Sequence, residues 1–431
     1  MTLAPAAWAG GFLLLTWMNF RQGGRDLLYP PFLFCLVWFM ALGVYATHPL
    51  AMDQVASNTI LIFLSGAMMY SVGGAIAANR FRRYVDGMRV TAVPSGPVVS
   101  VPLPMKHVML AALIMLLPMF LQEMQRFSTE SGLDSFFIGA RVAMSAAANS
   151  GEVNTFSNPL LSNLPTMAIF VSSLYLIEKR PGRRETLWYA LSLTVAIAYA
   201  ILTTGRSTLI TIVVGSTCIY LLKHRTVRVR NIVLVGAITM ATMTVMVFVM
   251  KDLSLYALDT TTAIAWFFLF SYIVGPLAAF DHVVNDPTVV LSPVNHTFSP
   301  IMKAVAAVSG MGYQAPPLVD DNVFVPFNIN VYTVYKFYYV DFGLAGMLLV
   351  VGIIGFVQTY LFARARGGHA VFMFLFAVSM YPLLTSFVDD QYFQFIFHLK
   401  TVVFGVFYFL VLRRLNVMPS HVAGVRSALP E

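Results

Sequence analysis

Long apolar runs separated by short polar gaps make up most of the chain. Runs of about eighteen or more residues with almost no charge recur from one end to the other, which is the pattern of helices that cross a bilayer. They predict spans at roughly 3–20, 29–46, 57–79, 107–122, 161–178, 187–203, 207–222, 231–250, 338–362, 370–387 and 393–412. The first run has no cleavage site behind it and reads as a retained helix. A further apolar run, TTAIAWFFLFSYIVGPLAAFDHV at 261–283, is different in kind: Gly275-Pro276 interrupts its middle and Asp281-His282 ends it.

Loop charges decide how that run is read. Basic residues gather after the third span (Arg80, Arg82, Arg83, Arg89, Lys106), after the fifth (Lys179, Arg180, Arg183, Arg184) and after the seventh (Lys223, Arg225, Arg228, Arg230). Two more groups follow, Arg364 with Arg366 and Arg413 with Arg414. Loops rich in Lys and Arg face the cytoplasm. All five groups do so only if the N-terminus is outside, the C-terminus inside, and 261–283 does not cross. Non-helical backbone at membrane depth is tolerated where it lines a protein cavity, so this run is expected to be a re-entrant or interfacial segment. About 11 spans remain, with two large outward loops at about 123–160 and 251–337.

Composition narrows the class. Of 431 residues, 58% are hydrophobic and 11% charged, against roughly half and a quarter in soluble domains. The expectation is an all-α polytopic membrane protein with one integral membrane domain over 1–431. The net charge of +8 lies mostly in the orienting loops and does not call for nucleic acid. Cys35 and Cys218 fall inside apolar runs and imply no disulfide.

Candidate chemistry collects on the outward side. TTGRST, residues 203–208, separates two very apolar stretches and places Arg206 where basic residues are sparse. Ser207 and Thr208 are suitable caps for the following helix, whose first amides and dipole favour an anion. With a guanidinium beside them, they form a compact site for phosphate; the alternative is an arginine snorkelling to headgroups. The second cluster is FVPFNINVYTVYKFYYVDFGLAG, residues 324–346. Tyr332, Tyr335, Tyr338 and Tyr339 surround Lys336, and Asp341 follows about a turn and a half inside the next helix. Interfacial aromatics anchor helices and also grip sugars. A carboxylate at that depth needs a partner or a function.

NVYTVYKFYYVDFGLAG resembles the pattern of bacterial oligosaccharide repeat-unit polymerases, the Wzy-type O-antigen and capsule polymerases. The likeness runs through Asn330-x-Tyr332-Thr333, then Lys336, then Asp341-Phe342-Gly343-x-x-Gly346. TGRSTLI is similar to the Ser/Gly-Arg-Gly/Ser segment such proteins carry near mid-chain, although no glycine follows Arg206. The resemblance implies a GT-C-like, metal-independent glycosyltransferase without cofactors in the bacterial inner membrane, N-terminus periplasmic and C-terminus cytoplasmic. It would move a growing glycan from undecaprenyl diphosphate to the sugar of a new lipid-linked repeat unit at the periplasmic face. Its partners would be the lipid-linked donor and acceptor, the bilayer and a chain-length regulator protein. The alternatives are an O-antigen ligase acting on lipid A core and, in another class, a secondary transporter.

On this reading Arg206, Lys336, Asp341 and Glu152 are assigned to catalysis. Arg126, Arg141, His296, Asp321, Asn330, Tyr332, Thr333 and Tyr335 are assigned to substrate binding. Glu152, His296 and Asp321 are the groups available to orient or deprotonate the attacking hydroxyl. Lys336 is expected to share one cavity with Arg206, and Asp341 to pair with a cation there and position a base. The Asp320-Asp321 and Asp389-Asp390 pairs are too little for a metal site.

Overall fold

The computed structural model describes residues 5–47, 54–81, 103–149, 156, 158, 160–178, 182–224, 230, 236–237, 261–286, 296–310, 323–325, 327–393, 400–403, 405–407 and 410–411. Twelve α-helices lie among them: α1 (Pro5–Gln22), α2 (Pro30–Ala46), α3 (Ser57–Arg80), α4 (Leu103–Glu130), α5 (Phe136–Asn149), α6 (Leu164–Glu178), α7 (Arg183–Leu202), α8 (Arg206–Lys223), α9 (Thr261–Asn285), α10 (Ser299–Ser309), α11 (Tyr335–Arg366) and α12 (Ala370–Leu384). A two-stranded antiparallel hairpin, β1 (Val323–Phe324) and β2 (Asn328–Ile329), precedes α11. Seven helices are long and apolar enough to cross a membrane, and α2 and α12 are shorter apolar helices. The architecture is compatible with an all-α polytopic membrane protein. The expected span at 231–250, apart from residues 236 and 237, and half of that at 393–412 fall outside the described residues.

The two stretches expected as outward loops hold more helix than their polarity suggested. α4 continues to Glu130 because Glu123, Arg126 and Glu130 make i,i+3 and i,i+4 ion pairs along it (2.7 and 3.4 Å). α5, α10 and the hairpin add further regular structure there.

The bundle is built around a seam between α3 and α11, which run parallel. Gly66 of α3 lies against the Tyr335 ring, Gly73 against the Gly352 carbonyl, and Gly355 of α11 against the Tyr70 carbonyl. A β-carbon at Gly73 or Gly355 would collide with backbone, so these positions let two helices touch where a larger residue would separate them. α2 covers the seam with Trp38, which stacks on Tyr335 (4.8 Å) and packs on Phe63 (4.9 Å).

One end of the bundle collects basic residues. Lys106 at the start of α4 is ion-paired with Glu178 at the end of α6. Lys223, closing α8, donates to the Leu176 and Ile177 carbonyls (2.9 and 3.0 Å). Arg366, closing α11, donates to the Leu221 carbonyl (3.4 Å) and to the Asp26 carboxylate in the α1–α2 turn (2.7 Å). This is the gathering that the loop charges predict; it is called the basic end below, and the opposite one the distal end.

α9 departs from expectation in two respects. It is one of the seven helices long and apolar enough to cross a membrane, where a re-entrant or interfacial segment was expected. It also runs without a break through Gly275-Pro276, where an interruption was expected. Pro276 removes one ladder donor, yet the helix continues. Its contacts are nonetheless unlike those of a helix running along the bundle. Phe267 meets Phe327 of the hairpin (5.0 Å), Tyr272 meets Arg206 at the start of α8 (2.7 Å), and Gly275 meets Ile329. Asp281 accepts from the Ala56 amide just before α3 (2.9 Å), and Asn285 bonds Asn58 (2.8 Å). All of these partners belong to the distal end.

Candidate functional site

The site begins at a strained turn. Thr204, between α7 and α8, has φ of 53°, a left-handed conformation that is costly for a β-branched residue and concentrates at functional sites. The turn ends α7 at Leu202 and lets α8 begin on Arg206 itself. Gly205 is the N-cap, and no side chain caps the helix. Ser207 and Thr208, expected as caps, lie within the first turn instead, where the Ser207 carbonyl accepts from Thr211 Oγ1 (2.7 Å). The amides at the helix start are therefore left without the side-chain acceptor a cap supplies.

The guanidinium is held from one side. Arg206 Nη2 donates to Tyr272 Oη at 2.7 Å, and its carbon lies 4.8 Å from that ring's centroid. Nη1 is buried and has no hydrogen-bond partner among the described residues. A guanidinium nitrogen left so is costly and fits an acidic group that is absent from the protein alone. Tyr381 of α12 lies within electrostatic reach of both Arg206 and Asp389, which brings the end of α12 beside the Arg206 turn.

The second cluster divides into core and site. Tyr335, expected to bind substrate, is fully buried between Trp38 and Phe63 and is a core side chain. Thr333 is buried, with Oγ1 unpartnered. Asn330 is exposed just past β2. Lys336 holds Nζ 3.6 Å from the centroid of the buried Tyr332 ring and 5.1 Å from that of Phe337, close enough for cation–π attraction.

Asp341 is the best-partnered carboxylate of the distal end. Its side chain is 0% exposed. It accepts from the backbone amides of Thr297 (2.7 Å) and His296 (3.2 Å) and from His296 Nδ1 (3.1 Å). The partner expected as a cavity cation is therefore a histidine and two amides, and together they fasten the start of α10 to α11. Two residues on, Gly343 breaks α11 at φ 65°, ψ −175°. The Asp-Phe-Gly stretch is thus where one long helix becomes two, at a backbone angle that glycine adopts without strain.

A stretch that sequence reading passed over closes the site. Residues 385–393 follow α12 and pack on the first turns of α11. The Ser386 carbonyl accepts from the Val334 amide (2.9 Å), and Ser386 Oγ from Trp38 Nε1 (3.1 Å). Asp390, fully buried, accepts from Tyr338 Oη (2.8 Å) and the Tyr392 amide (2.9 Å). Its other oxygen has no partner among the described residues, and neither has Gln391 Oε1. Burial pushes the Asp390 carboxyl up to about 7, despite the bonds from Tyr338 and the backbone. Its signal in the sequence was an Asp-Asp pair between two apolar runs, set aside because it cannot hold a metal. No group of metal-ligating side chains occurs among the described residues.

Of the remaining candidates, Arg126 is charge-matched by Glu123 and Glu130 on its own helix, and Arg141 is half-buried on α5. Glu152 and Asp321 lie outside the described residues. Arg206 and Lys336 are brought to the same end with shared neighbours. α9 touches Arg206 through Tyr272 and the hairpin ahead of Lys336 through Gly275, while the stretch from Tyr381 to Asp390 borders both. An apolar cleft of about 390 Å³ between α4 and α7, lined by Leu117, Pro118, Leu121, Ala198, Ile201 and Leu202, ends where the Arg206 turn begins. No family model, curated protein or solved structure matches the chain.

Proposed function

We propose that the protein polymerises lipid-linked oligosaccharide repeat units at the outer face of a bacterial inner membrane. The observation that carries this reading is Arg206: a guanidinium fixed by Tyr272 at an uncapped helix start, with one buried nitrogen unpartnered among the described residues. A diphosphate leaving group is the anion such a site suits. As the bond to the glycan breaks, charge grows on the diphosphate oxygens, and a preset guanidinium with helix amides stabilises it without reorganising. The apolar cleft ending at Leu202 takes the first units of the donor's lipid chain. Lys336, held over the buried rings of Tyr332 and Phe337, belongs to the sugar side.

The distal end is the periplasmic one on this reading, since the basic end gathers the cytoplasmic loops. α9 then lies across the outer end instead of crossing. At about 1.5 Å per residue, the stretch from Phe267 to Asn285 would carry a spanning helix to the far side of the bilayer, yet its partners stay at one end. Cysteines placed near 258 and 290 should both react with an impermeant reagent from outside; reaction of one only after the membrane is opened would sink this arrangement.

The function is tested by the surface-glycan ladder of a strain deleted for the gene. Chains of a single repeat are expected, and complementation should restore the ladder. Loss of all attached glycan would point to ligation onto lipid A core instead, and an unchanged ladder would overturn both.

A further inference from the structure

Polymerisation, if the reading above holds, also requires a base. The attacking sugar hydroxyl must lose its proton as it bonds to the anomeric carbon, and Arg206 cannot accept one. Three groups on the outward side had the right chemistry; Glu152 and Asp321 lie outside the described residues, and His296 is the one whose surroundings are visible.

Those surroundings are specific. His296 Nδ1 lies 3.1 Å from Asp341 Oδ1, and the Asp341 carboxylate is 0% exposed. An ionised carboxylate only accepts hydrogen bonds, so Nδ1 must carry the proton in that contact. In a neutral imidazole this leaves Nε2 as the acceptor. The backbone amides of His296 and Thr297 bind the same carboxylate, which fixes the residue at both its main chain and its ring. The ring stacks on Phe337 at 5.5 Å, and Phe337 is also flanked by Lys336 Nζ at 5.1 Å. The His296 side chain is 25% exposed, and Nε2 makes no hydrogen bond with any described residue. It is thus a fixed ring presenting one basic nitrogen beside the aromatic and cationic groups of the sugar side.

The geometry points to His296 as the catalytic base of the transfer and to Asp341 as the residue that positions it. This inference rests on the polymerase reading. The hydroxyl proton passes to Nε2 as the oxygen bonds to the anomeric carbon. The bond from that carbon to the diphosphate oxygen breaks, and its electron pair leaves with the lipid diphosphate held at Arg206. The imidazolium afterwards returns its proton to water through its exposed edge. Neither metal nor oxidant enters the balance.

The test uses the full-length protein in liposomes and, as substrate, the single lipid-linked repeats extracted from a strain deleted for the gene. His296→Gln keeps a polar side chain toward Asp341 and should elongate at least about 100-fold more slowly, the scale of a lost general base, with KM little changed. Asp341→Asn should lower kcat at least about 10-fold with KM little changed, because the ring loses the acceptor that fixes its tautomer and orientation, and Asp341→Glu should recover part of that loss. A purely structural role would lower the amount of folded protein and leave kcat per folded molecule near wild type. His296→Gln elongating within threefold of wild type, or Asp341→Asn with kcat near wild type, overturns the inference. A deletion strain with normal long chains would instead defeat the polymerase reading itself, so the two failures are distinguishable.

Discussion

The two ends of the bundle handle charge in opposite ways. At the basic end, cations are matched by the protein itself: Lys106 by Glu178, Lys223 by two carbonyls, and Arg366 by Asp26 and a carbonyl, with only its Nε unbonded. At the distal end, terminal atoms of charged and polar side chains are buried without partners in the described residues, among them Arg206 Nη1, Asp390 Oδ2 and Gln391 Oε1. The basic end also buries unpartnered atoms, His107 Nε2, Tyr29 Oη and Arg366 Nε, but each cation named there is held by carboxylate or carbonyl oxygens, whereas Arg206 is held by the Tyr272 hydroxyl and ring. The first arrangement holds helices together, and the second leaves capacity for something that is bound.

Substitutions should separate the two kinds of charge. The largest effect on elongation is expected from Arg206→Ala, a loss of about 10²–10³-fold, the scale of removing one preset donor to developing charge. Thermal stability should fall by no more than about 1–3 kcal/mol, the scale of the Tyr272 hydrogen bond and cation–π contact that go with the guanidinium. Arg206→Lys should recover little, since a point charge does not reproduce the planar fork. A normal glycan ladder from the alanine variant would return Arg206 to a headgroup anchor and erase the contrast.

Lys106→Ala should do the reverse. It removes the ion-pair partner of the buried Glu178 carboxylate and should destabilise by about 3–5 kcal/mol, whereas replacing both residues with methionine should recover most of that. Elongation per folded molecule should stay near wild type. A large loss of activity in the stable double variant would show that the basic end also serves the reaction.

Asp390 sharpens the comparison through pH. Its carboxyl, pushed up to about 7 in the folded protein, titrates at an ordinary carboxylate value near 3.9 when unfolded. Between those values the folded state binds more protons, so the wild type loses stability as pH rises through that window. Asp390→Asn is free of the loss. Its melting temperature in detergent should exceed that of wild type by a margin that grows from about pH 4 to about pH 7 and is then level, reflecting up to a few kcal/mol. A margin independent of pH would mean that Asp390 stays charged and paired.

The smallest effect is expected at the helix break. Gly343→Ala places a β-carbon at φ 65° and should cost about 1–2 kcal/mol. It should also slow elongation, because the break orients the turn that carries Asp341. Unchanged melting and elongation would show that the break is incidental.

How much of this was legible beforehand follows from which forces act locally. Apolar runs report helix directly: the nine expected spans within the described residues each coincide with one, and six of these helices are long and apolar enough to cross a membrane. The Arg206 gap was legible for the same reason, as a charge where the pattern allows few. The cap was misjudged because Ser207 and Thr208 have the right chemistry two and three residues past the N-cap at Gly205, and the left-handed Thr204 sets where α8 begins. Arg126 carried its own warning, since Glu123 and Glu130 stand at helical spacing from it. Asp390 could not be read locally: its partner Tyr338 is 52 residues away. The burial of Tyr335 depends likewise on α2 and α3, which a run of four tyrosines around a lysine does not disclose.

The parallel seam of α3 and α11 has a consequence in time. Tyr70 and Gln358, hydrogen-bonded across it, are 288 residues apart in the chain. At roughly 5–20 residues per second, α3 is in the membrane for some 15–60 s before its partner is synthesised. Through that interval its glycine face has only lipid, or whichever earlier helix reaches it, to rest against. The central contact of the fold is therefore among the last to form, and the nascent chain must tolerate an open groove at its centre until α11 arrives.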